Sequence, residues 1–228
     1  FVYLTTKAER RRAAFAITDM TSTQDSATVV GRLARDLCYE QPARVIHSSK
    51  SWLCHGGVDR YEKILPWHSE EVLGEARYSP VEVAAVLLAH VRDAFNSTIA
   101  QQQPEYRAEL QDVVITVPAS FDEVAQRLTL EAAGQAGFAP ERIRLVEEPQ
   151  AAFYHYLVEG EGTKDLTEVL PALADDAQTV LICDVGGGTT DFSLFEVQKP
   201  ASPGDKPQVE RVAVSDHLLL GGDNIDLA

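Results

Sequence analysis

The sequence predicts an α/β protein, and two observations support that prediction. From Ser79 onward, short apolar runs rich in β-branched residues alternate with longer segments whose apolar residues recur at helical spacing. Three consecutive glycines, Gly186 to Gly188, then separate two further segments of strand length. Alternation of this kind is typical of a mostly parallel sheet with covering helices.

The first two long helices have recognisable ends in the sequence. Ser79-Pro80-Val81-Glu82 matches a capping box with proline at the first helical position. A buried strand is predicted at 113–117, closed by Pro118. Residues 120–123 repeat the capping-box pattern, and the helix that follows extends to Gly137, a typical residue just past a helix end.

The second half continues the alternation. We predict a strand at 143–146, a helix from Pro149 to Gly160 and a fully buried strand at 179–183. Two more strands are predicted, at 192–197 with one face buried and at 209–214.

Composition and charge exclude several functions. The chain has 228 residues, of which 45% are hydrophobic and 24% are charged, as in soluble globular proteins. Its net charge of −15 argues against nucleic acid as a partner. No segment approaches the length of a membrane span, so we expect no membrane partner. The three cysteines, Cys38, Cys54 and Cys183, have no Cys-x-x-Cys spacing, which favours reduced, buried thiols in the cytoplasm.

The segment Asp184-Val185-Gly186-Gly187-Gly188-Thr189-Thr190-Asp191 predicts a phosphate-binding hairpin. Its glycines leave the backbone free to take positive φ and let N–H groups converge on an anion. The flanking Asp184 and Asp191 suit Mg²⁺, which prefers water plus one or two carboxylates. An ordinary glycine-rich turn is the alternative, which the aspartates and threonines disfavour. A Walker loop and a dinucleotide fingerprint are excluded, because no Gly-Lys-Ser/Thr follows and the next element is a strand.

Four further sequence blocks carry information about the family, and they lie at residues 114–121, 132–138, 147–152 and 220–226. Together with the hairpin, they resemble the nucleotide-binding domain of the 70-kilodalton heat-shock chaperones, the DnaK-like family of the actin-like ATPase superfamily. The resemblance covers about residues 28–228. It implies a ribonuclease H-like, two-lobed nucleotide-binding domain. We expect the domain to be incomplete at both ends, because the chain begins in mid-strand and stops where a helix begins.

The resemblance also implies a division into parts. Residues 1–77 would form the outer subdomain of lobe I, and residues 78–160 its inner subdomain. Residues 161–177 would be a connector, and residues 178–228 the start of the inner subdomain of lobe II.

Site residues follow from the resemblance. The catalytic residues would be Lys50, Glu148, Asp184 and Thr189. Lys50 would reach the γ-phosphate and help hold the attacking water, and Glu148 would orient that water or the hydration shell of the metal. An idle surface lysine at 50 and a carboxylate at 148 that only suits the helix dipole are the alternatives. Asp184 and Asp191 would hold Mg²⁺ and monovalent cations through water. Pro118 matches the switch proline of the family, whereas Gln126 stands where the family carries an arginine of its inter-domain relay. The phosphates would be cradled by Gly186, Gly187, Gly188, Thr189 and Thr190 and approached by Gly221 and Gly222.

The implied ligands are ATP or ADP, Mg²⁺ and K⁺. The implied partners are unfolded or client proteins, bound through a C-terminal domain outside this chain, and co-chaperones. We expect ATP hydrolysis in the intact parent. For the isolated chain we expect weak ATP binding, no hydrolysis and self-association through exposed apolar side chains near Phe192, Phe195 and residues 218–220.

Two alternatives stay open within the superfamily. An actin-like filament-forming ATPase shares the hairpin, but the segment from Gly31 to Lys50 and Phe121 argue against it. A sugar or acid kinase would need a substrate aspartate after the first strand pair, and none is placed convincingly.

Overall fold

The computed structural model describes residues 1–11, 27–161, 177–187, 189–198, 208–216, 218 and 220–222. The predicted connector therefore lies almost entirely outside the described residues, as do Gly188 and positions 223–226 of the last motif. The chain forms two compact units. The first unit consists of Phe1–Val113 and Asp122–Arg144, and the second of Val114–Phe121 and Leu145–Ala228.

The first unit contains a small antiparallel sheet. Strand β1 (Val2–Leu4) lies between β2 (Thr28–Val30) and β3 (Val45–Ile46). Successive side chains of a strand point to opposite faces. Accordingly, Val2 and Leu4 belong to one apolar cluster and Tyr3 belongs to another.

Three helices pack around this sheet: α1 (Arg32–Asp36), α2 (Ser49–Cys54) and α3 (Pro80–Thr98). The longest of the three, α3, begins as predicted. At the start of α3, the Glu82 N–H donates to the Ser79 hydroxyl over 3.2 Å, and the Ser79 N–H donates to the Glu82 carboxylate over 2.7 Å. The predicted capping box is therefore confirmed.

Helix α4 (Glu123–Gln135) also belongs to the first unit, and its beginning differs from the prediction. Its cap is Asp122, whose carboxylate accepts the Ala125 N–H over 2.7 Å, so the capping box predicted from Ser120 is wrong. The end is confirmed, because Gly137 has φ +90° and donates its N–H to the Gly134 carbonyl over 3.0 Å. Phe138 donates to the Ala133 carbonyl over 3.0 Å, which completes a Schellman motif.

Strands β4 (Val113–Val117) and β5 (Ile143–Glu147) pair in a two-stranded sheet. Helix α5 (Glu148–Glu161) begins directly after β5. The predicted strand and helix positions hold here within one or two residues.

The second unit contains a three-stranded antiparallel sheet, formed by β6 (Ala177–Val185), β7 (Thr190–Gln198) and β8 (Gln208–Val214) with β7 in the centre. The hairpin predicted between β6 and β7 is confirmed, since a loop as short as 186–189 joins antiparallel neighbours. The mostly parallel sheet predicted for the chain is not found in these three strands. Helix α5 covers one face through Phe153, whose ring lies 5.3 Å from that of Phe195. Phe195 is thus buried, contrary to the expectation that it is exposed.

Among the residues that the structure describes, none covers the opposite face of this sheet. Leu181 and Val185 of β6 are 56% and 60% exposed, so the prediction of a fully buried strand is wrong. Cys183 lies on the same face and is exposed as well, while Cys38 and Cys54 are half-buried, so the predicted burial of the thiols is not found. In the part of the chain that the structure describes, no helix is long and apolar enough to span a membrane.

Candidate functional site

The predicted phosphate hairpin lies at the tip of β6 and β7. In the register of the two strands, Asp184 lies opposite Asp191 and Val185 lies opposite Thr190. The Gly186 N–H donates to the Thr189 carbonyl over 2.9 Å and closes the loop. Gly186 and Gly187 are exposed.

A second segment, described at residues 218 and 220–222, runs along this hairpin. The Thr190 N–H donates to the Leu218 carbonyl over 3.0 Å, and the Thr190 hydroxyl donates to the Leu220 carbonyl over 2.7 Å. The Gly222 N–H donates to the Gly186 carbonyl over 2.9 Å. Two glycine-bearing motifs that are distant in sequence therefore form one hydrogen-bonded structure.

Gly221 is buried where these two segments meet. A Cβ at this position would lie 2.5 Å from the Gly187 carbonyl oxygen and 2.6 Å from that of Gly186. Neither Gly186 nor Gly221 adopts a left-handed backbone conformation. Gly186 therefore does not use the positive φ that was predicted for the hairpin glycines, and glycine is required at 221 because backbone contacts backbone.

The two aspartates share the sheet face that α5 covers. Residues opposite each other in an antiparallel pair lie on one face, and Ile182, two positions before Asp184, packs against the Phe153 cluster. Asp191 is only 2% exposed, and Asp184 is half-buried. Like charges directly opposite each other are destabilising, so a cation beside this pair would offset their repulsion.

This donor set fits Mg²⁺ in its usual protein coordination. Mg²⁺ keeps several waters and takes one or two carboxylates plus phosphate oxygens. Over the described residues, no cluster of three or more His, Cys, Asp or Glu side chains could hold a metal ion. Asp184 and Asp191, opposite each other in the register, provide the one or two carboxylates that a hydrated Mg²⁺ takes.

Two other predicted residues lie in the second unit. Pro118 is fully buried directly after β4, and its carbonyl accepts the Phe121 N–H over 3.1 Å. Glu148 is half-buried and is the first residue of α5.

The residue before Glu148 makes a contact that the sequence did not predict. Glu147 forms an ion pair with Arg211 of β8, and both side chains are partly buried. This pair ties the start of α5 to the edge of the sheet. No local sequence signal marks it, since the two residues lie far apart in the chain.

Lys50 lies in the first unit, as the second residue of α2 with an exposed side chain. The structure thus brings together the hairpin residues with Gly221 and Gly222. Lys50 belongs to a different compact unit from the hairpin.

Comparison with known proteins identifies the class. Residues 25–228 match the family described as "Hsp70 protein". The chain belongs to this family, which implies the actin-like ATPase fold, and the resemblance found in the sequence is confirmed.

Individual relatives agree with this assignment. The chain is 30% identical over 210 residues to a "Chaperone protein HscA homolog" of Azoarcus sp. (strain BH72), covering 89% of this chain and 29% of that protein. It is 30% identical over 213 residues to the protein of that name from Acinetobacter baumannii (strain AYE), covering 89% of this chain and 30% of the relative. The chain therefore spans about three tenths of the length of these relatives.

Proposed function

We propose that this chain is a nucleotide-binding portion of a chaperone-type ATPase, and that the full-length protein hydrolyses ATP to drive protein folding or remodelling. The observation that supports this proposal is the hairpin with Gly221 seated against its backbone, beside two opposed aspartates. Membership of the Hsp70 family is the second observation that supports this proposal.

In this proposal the hairpin holds the phosphates. The exposed backbone of Gly187 binds phosphate oxygens through its N–H, and Gly188 and Thr189 extend this set of donors. Gly186 contributes by closing the loop, since its N–H donates to the Thr189 carbonyl. Thr190 fixes the loop through its hydrogen bond to the Leu220 carbonyl. Gly221 and Gly222 bring the second segment close enough to shape the same site.

Asp184 and Asp191 would hold Mg²⁺ through water, with K⁺ as a further cation. The bound metal supplies positive charge that neutralises charge developing on the transferred phosphoryl group. The chain's own contribution is to place the two carboxylates opposite each other in a hydrogen-bonded strand pair, which lowers the reorganisation needed during the reaction.

Three residues outside the hairpin have proposed roles. Lys50 places a compact positive charge at the γ-phosphate, and Glu148 orients the attacking water. Pro118, buried at the end of β4, links the nucleotide state to a substrate-binding domain.

The wider organisation is part of the same proposal. Two lobes, divided at the boundaries expected from the sequence, would enclose ATP or ADP. Client proteins and co-chaperones would be the partners, in the cytoplasm, with no nucleic acid or membrane surface involved.

Single-turnover ATP hydrolysis by the full-length protein tests this function. Asp184→Asn should keep the fold but slow hydrolysis by about 10²-fold or more, because charge stabilisation at the phosphates is lost. Asp36→Asn is the matched control, since Asp36 is an exposed carboxylate on α1. Hydrolysis that is unchanged in Asp184→Asn would contradict the proposed function.

A further inference from the structure

The turn that leads into the helix of Lys50 contains a left-handed serine. Ser48 has φ 52° and ψ 34°, and α2, of which Lys50 is the second residue, follows it directly. In this conformation the Cβ crowds a neighbouring carbonyl, so non-glycine residues adopt it at a cost in free energy. Among the described residues, His68 is the one other non-glycine residue with positive φ. Backbone strain of this kind persists where the surrounding structure imposes it, and it concentrates at functional sites.

The elements on both sides of this turn are anchored by packing. Before it, both residues of β3 are buried, and β3 pairs with β1. After it, α2 packs against α3 and α4, with Leu53 buried and Trp52 packed against the apolar cluster that contains Val2. Only His47 and Ser48 separate the strand from the helix. The backbone conformation of these two residues therefore determines the direction in which α2 leaves the sheet.

The direction of α2 in turn determines where Lys50 lies. Two positions along an α-helix correspond to about 200° of rotation, so Lys50 and Trp52 lie on nearly opposite sides of α2. Trp52 packs against the apolar cluster, and the Lys50 side chain is exposed. A different backbone conformation at Ser48 would swing or rotate α2 relative to β3, and Lys50 would move with the helix.

The contribution of Ser48 to α2 comes from its backbone and not from its hydroxyl. Serine before a helix usually accepts a hydrogen bond from a backbone N–H of the first turn, but the Ser48 hydroxyl makes no such cap hydrogen bond in the described residues. Its oxygen lies 3.2 Å from Nδ1 of the exposed His47 instead. The Ser48 carbonyl accepts the Ser51 N–H over 3.0 Å, which connects the left-handed residue to the first turn of α2.

We propose that Ser48 is a positioning residue for Lys50 and acts through its left-handed backbone. This inference rests on the proposed function, in which Lys50 places its charge at the γ-phosphate. Catalysis of phosphoryl transfer depends on the exact position of such charges, and a displacement of about 1 Å can cost about 10²-fold in rate. The left-handed turn holds the backbone of Lys50 in one place, so that little reorganisation of α2 is needed during the reaction.

A substitution series at Ser48 in the full-length protein tests the inference, with ATP affinity measured by calorimetry and hydrolysis by single turnover at saturating ATP. Ser48→Asn should keep the rate, because asparagine tolerates the left-handed conformation. Ser48→Val should slow hydrolysis by about 10- to 10²-fold with ATP affinity unchanged, because a β-branched residue resists this conformation. If urea unfolding shows that the valine variant does not fold, Ser48→Ala replaces it, and its rate should fall clearly below that of Ser48→Asn.

Gly74→Val is the matched control for backbone strain. Gly74 has φ +54°, lies outside β3 and α2, and has no atom within 4 Å of the position of a Cβ, so valine adds left-handed strain without a new contact. This variant should lose stability and keep the rate of hydrolysis.

Several outcomes would overturn the positioning role of Ser48. They are a wild-type rate in Ser48→Val or its alanine replacement, an equal loss of rate in Ser48→Asn, an equal loss in Gly74→Val, and an effect on ATP affinity instead of rate. Lys50→Ala separates this inference from the proposed function. Normal hydrolysis in Lys50→Ala would remove the proposed role of Lys50 itself, whereas lost hydrolysis in Lys50→Ala with a wild-type rate in Ser48→Val would overturn the positioning role alone.

Discussion

Gly221 shows how a single missing side chain can shape a site. The Gly221 backbone lies against the carbonyls of Gly186 and Gly187, at a distance that leaves no room for a Cβ. The resemblance found in the sequence implies only that Gly221 approaches the phosphates. The structure adds that this glycine lets the 218–222 segment brace the hairpin loop.

Gly221→Ala is therefore expected to destabilise the chain. The new Cβ would lie 2.5 Å from backbone oxygen, which cannot move as a flexible side chain can. Overpacking of this kind costs about 1–3 kcal/mol, measured as a lower unfolding midpoint in urea. Gly134→Ala in α4 is the control with the opposite sign, because its Cβ would meet nothing within 4 Å and alanine favours a helix. Equal shifts in both variants would contradict this account of Gly221.

A second prediction at the scale of single residues concerns the effect of Lys50 on ATP turnover. If it supplies charge to the γ-phosphate, Lys50→Ala should abolish ATP turnover in the full-length protein while ATP still binds, because other residues hold the β-phosphate and base. Turnover and affinity are measured separately, by single-turnover hydrolysis and by calorimetry. Lys7→Ala removes a comparable exposed lysine and should leave both quantities unchanged. Normal hydrolysis in Lys50→Ala would remove Lys50 from the site.

At the scale of elements, two helix ends were predicted from local signals, whereas the capping box at Ser120 and the long-range contacts were not predicted correctly. The start of α3 and the end of α4 were predicted because caps depend on residues three to five positions apart. The burial of β6 was mispredicted, since an apolar run does not reveal whether both faces of a strand are covered. Phe195 was expected to be exposed because the sequence does not show that Phe153 of α5 packs against it.

The ion pair between Glu147 and Arg211 joins two elements around the site. It connects β8 to the junction of β5 and α5, directly before Glu148. We expect a double-mutant cycle with Glu147→Gln and Arg211→Gln to give a coupling energy of about 0.5–1 kcal/mol in urea unfolding, falling as salt is added. The partly exposed pair Arg107–Glu109 provides a comparison cycle within one local segment. A coupling near zero at low salt would show that the pair does not hold α5 against the sheet.

At the scale of the whole molecule, one face of the β6–β8 sheet is exposed over the described residues. Leu181 and Cys183 of β6 lie opposite Leu194 and Phe192 of β7, so they form one apolar face on the side away from α5. Large exposed apolar patches on soluble proteins mark interaction surfaces or aggregation sites. Expected exposure at Phe192, Leu218 and Leu220 is confirmed.

The 228-residue chain is accordingly expected to self-associate through this face, despite a net charge of −15 that favours dispersal. Sedimentation velocity over a concentration series should show a rising mean sedimentation coefficient. Leu181→Lys should return the chain towards monomer, because a lysine in the centre of the apolar face must be desolvated on association. Leu73→Lys makes the same change at an exposed leucine in the first unit, 64% exposed, and should leave association intact. If both variants reduce association equally, added charge rather than this face controls it, and the open sheet face would not be the contact surface.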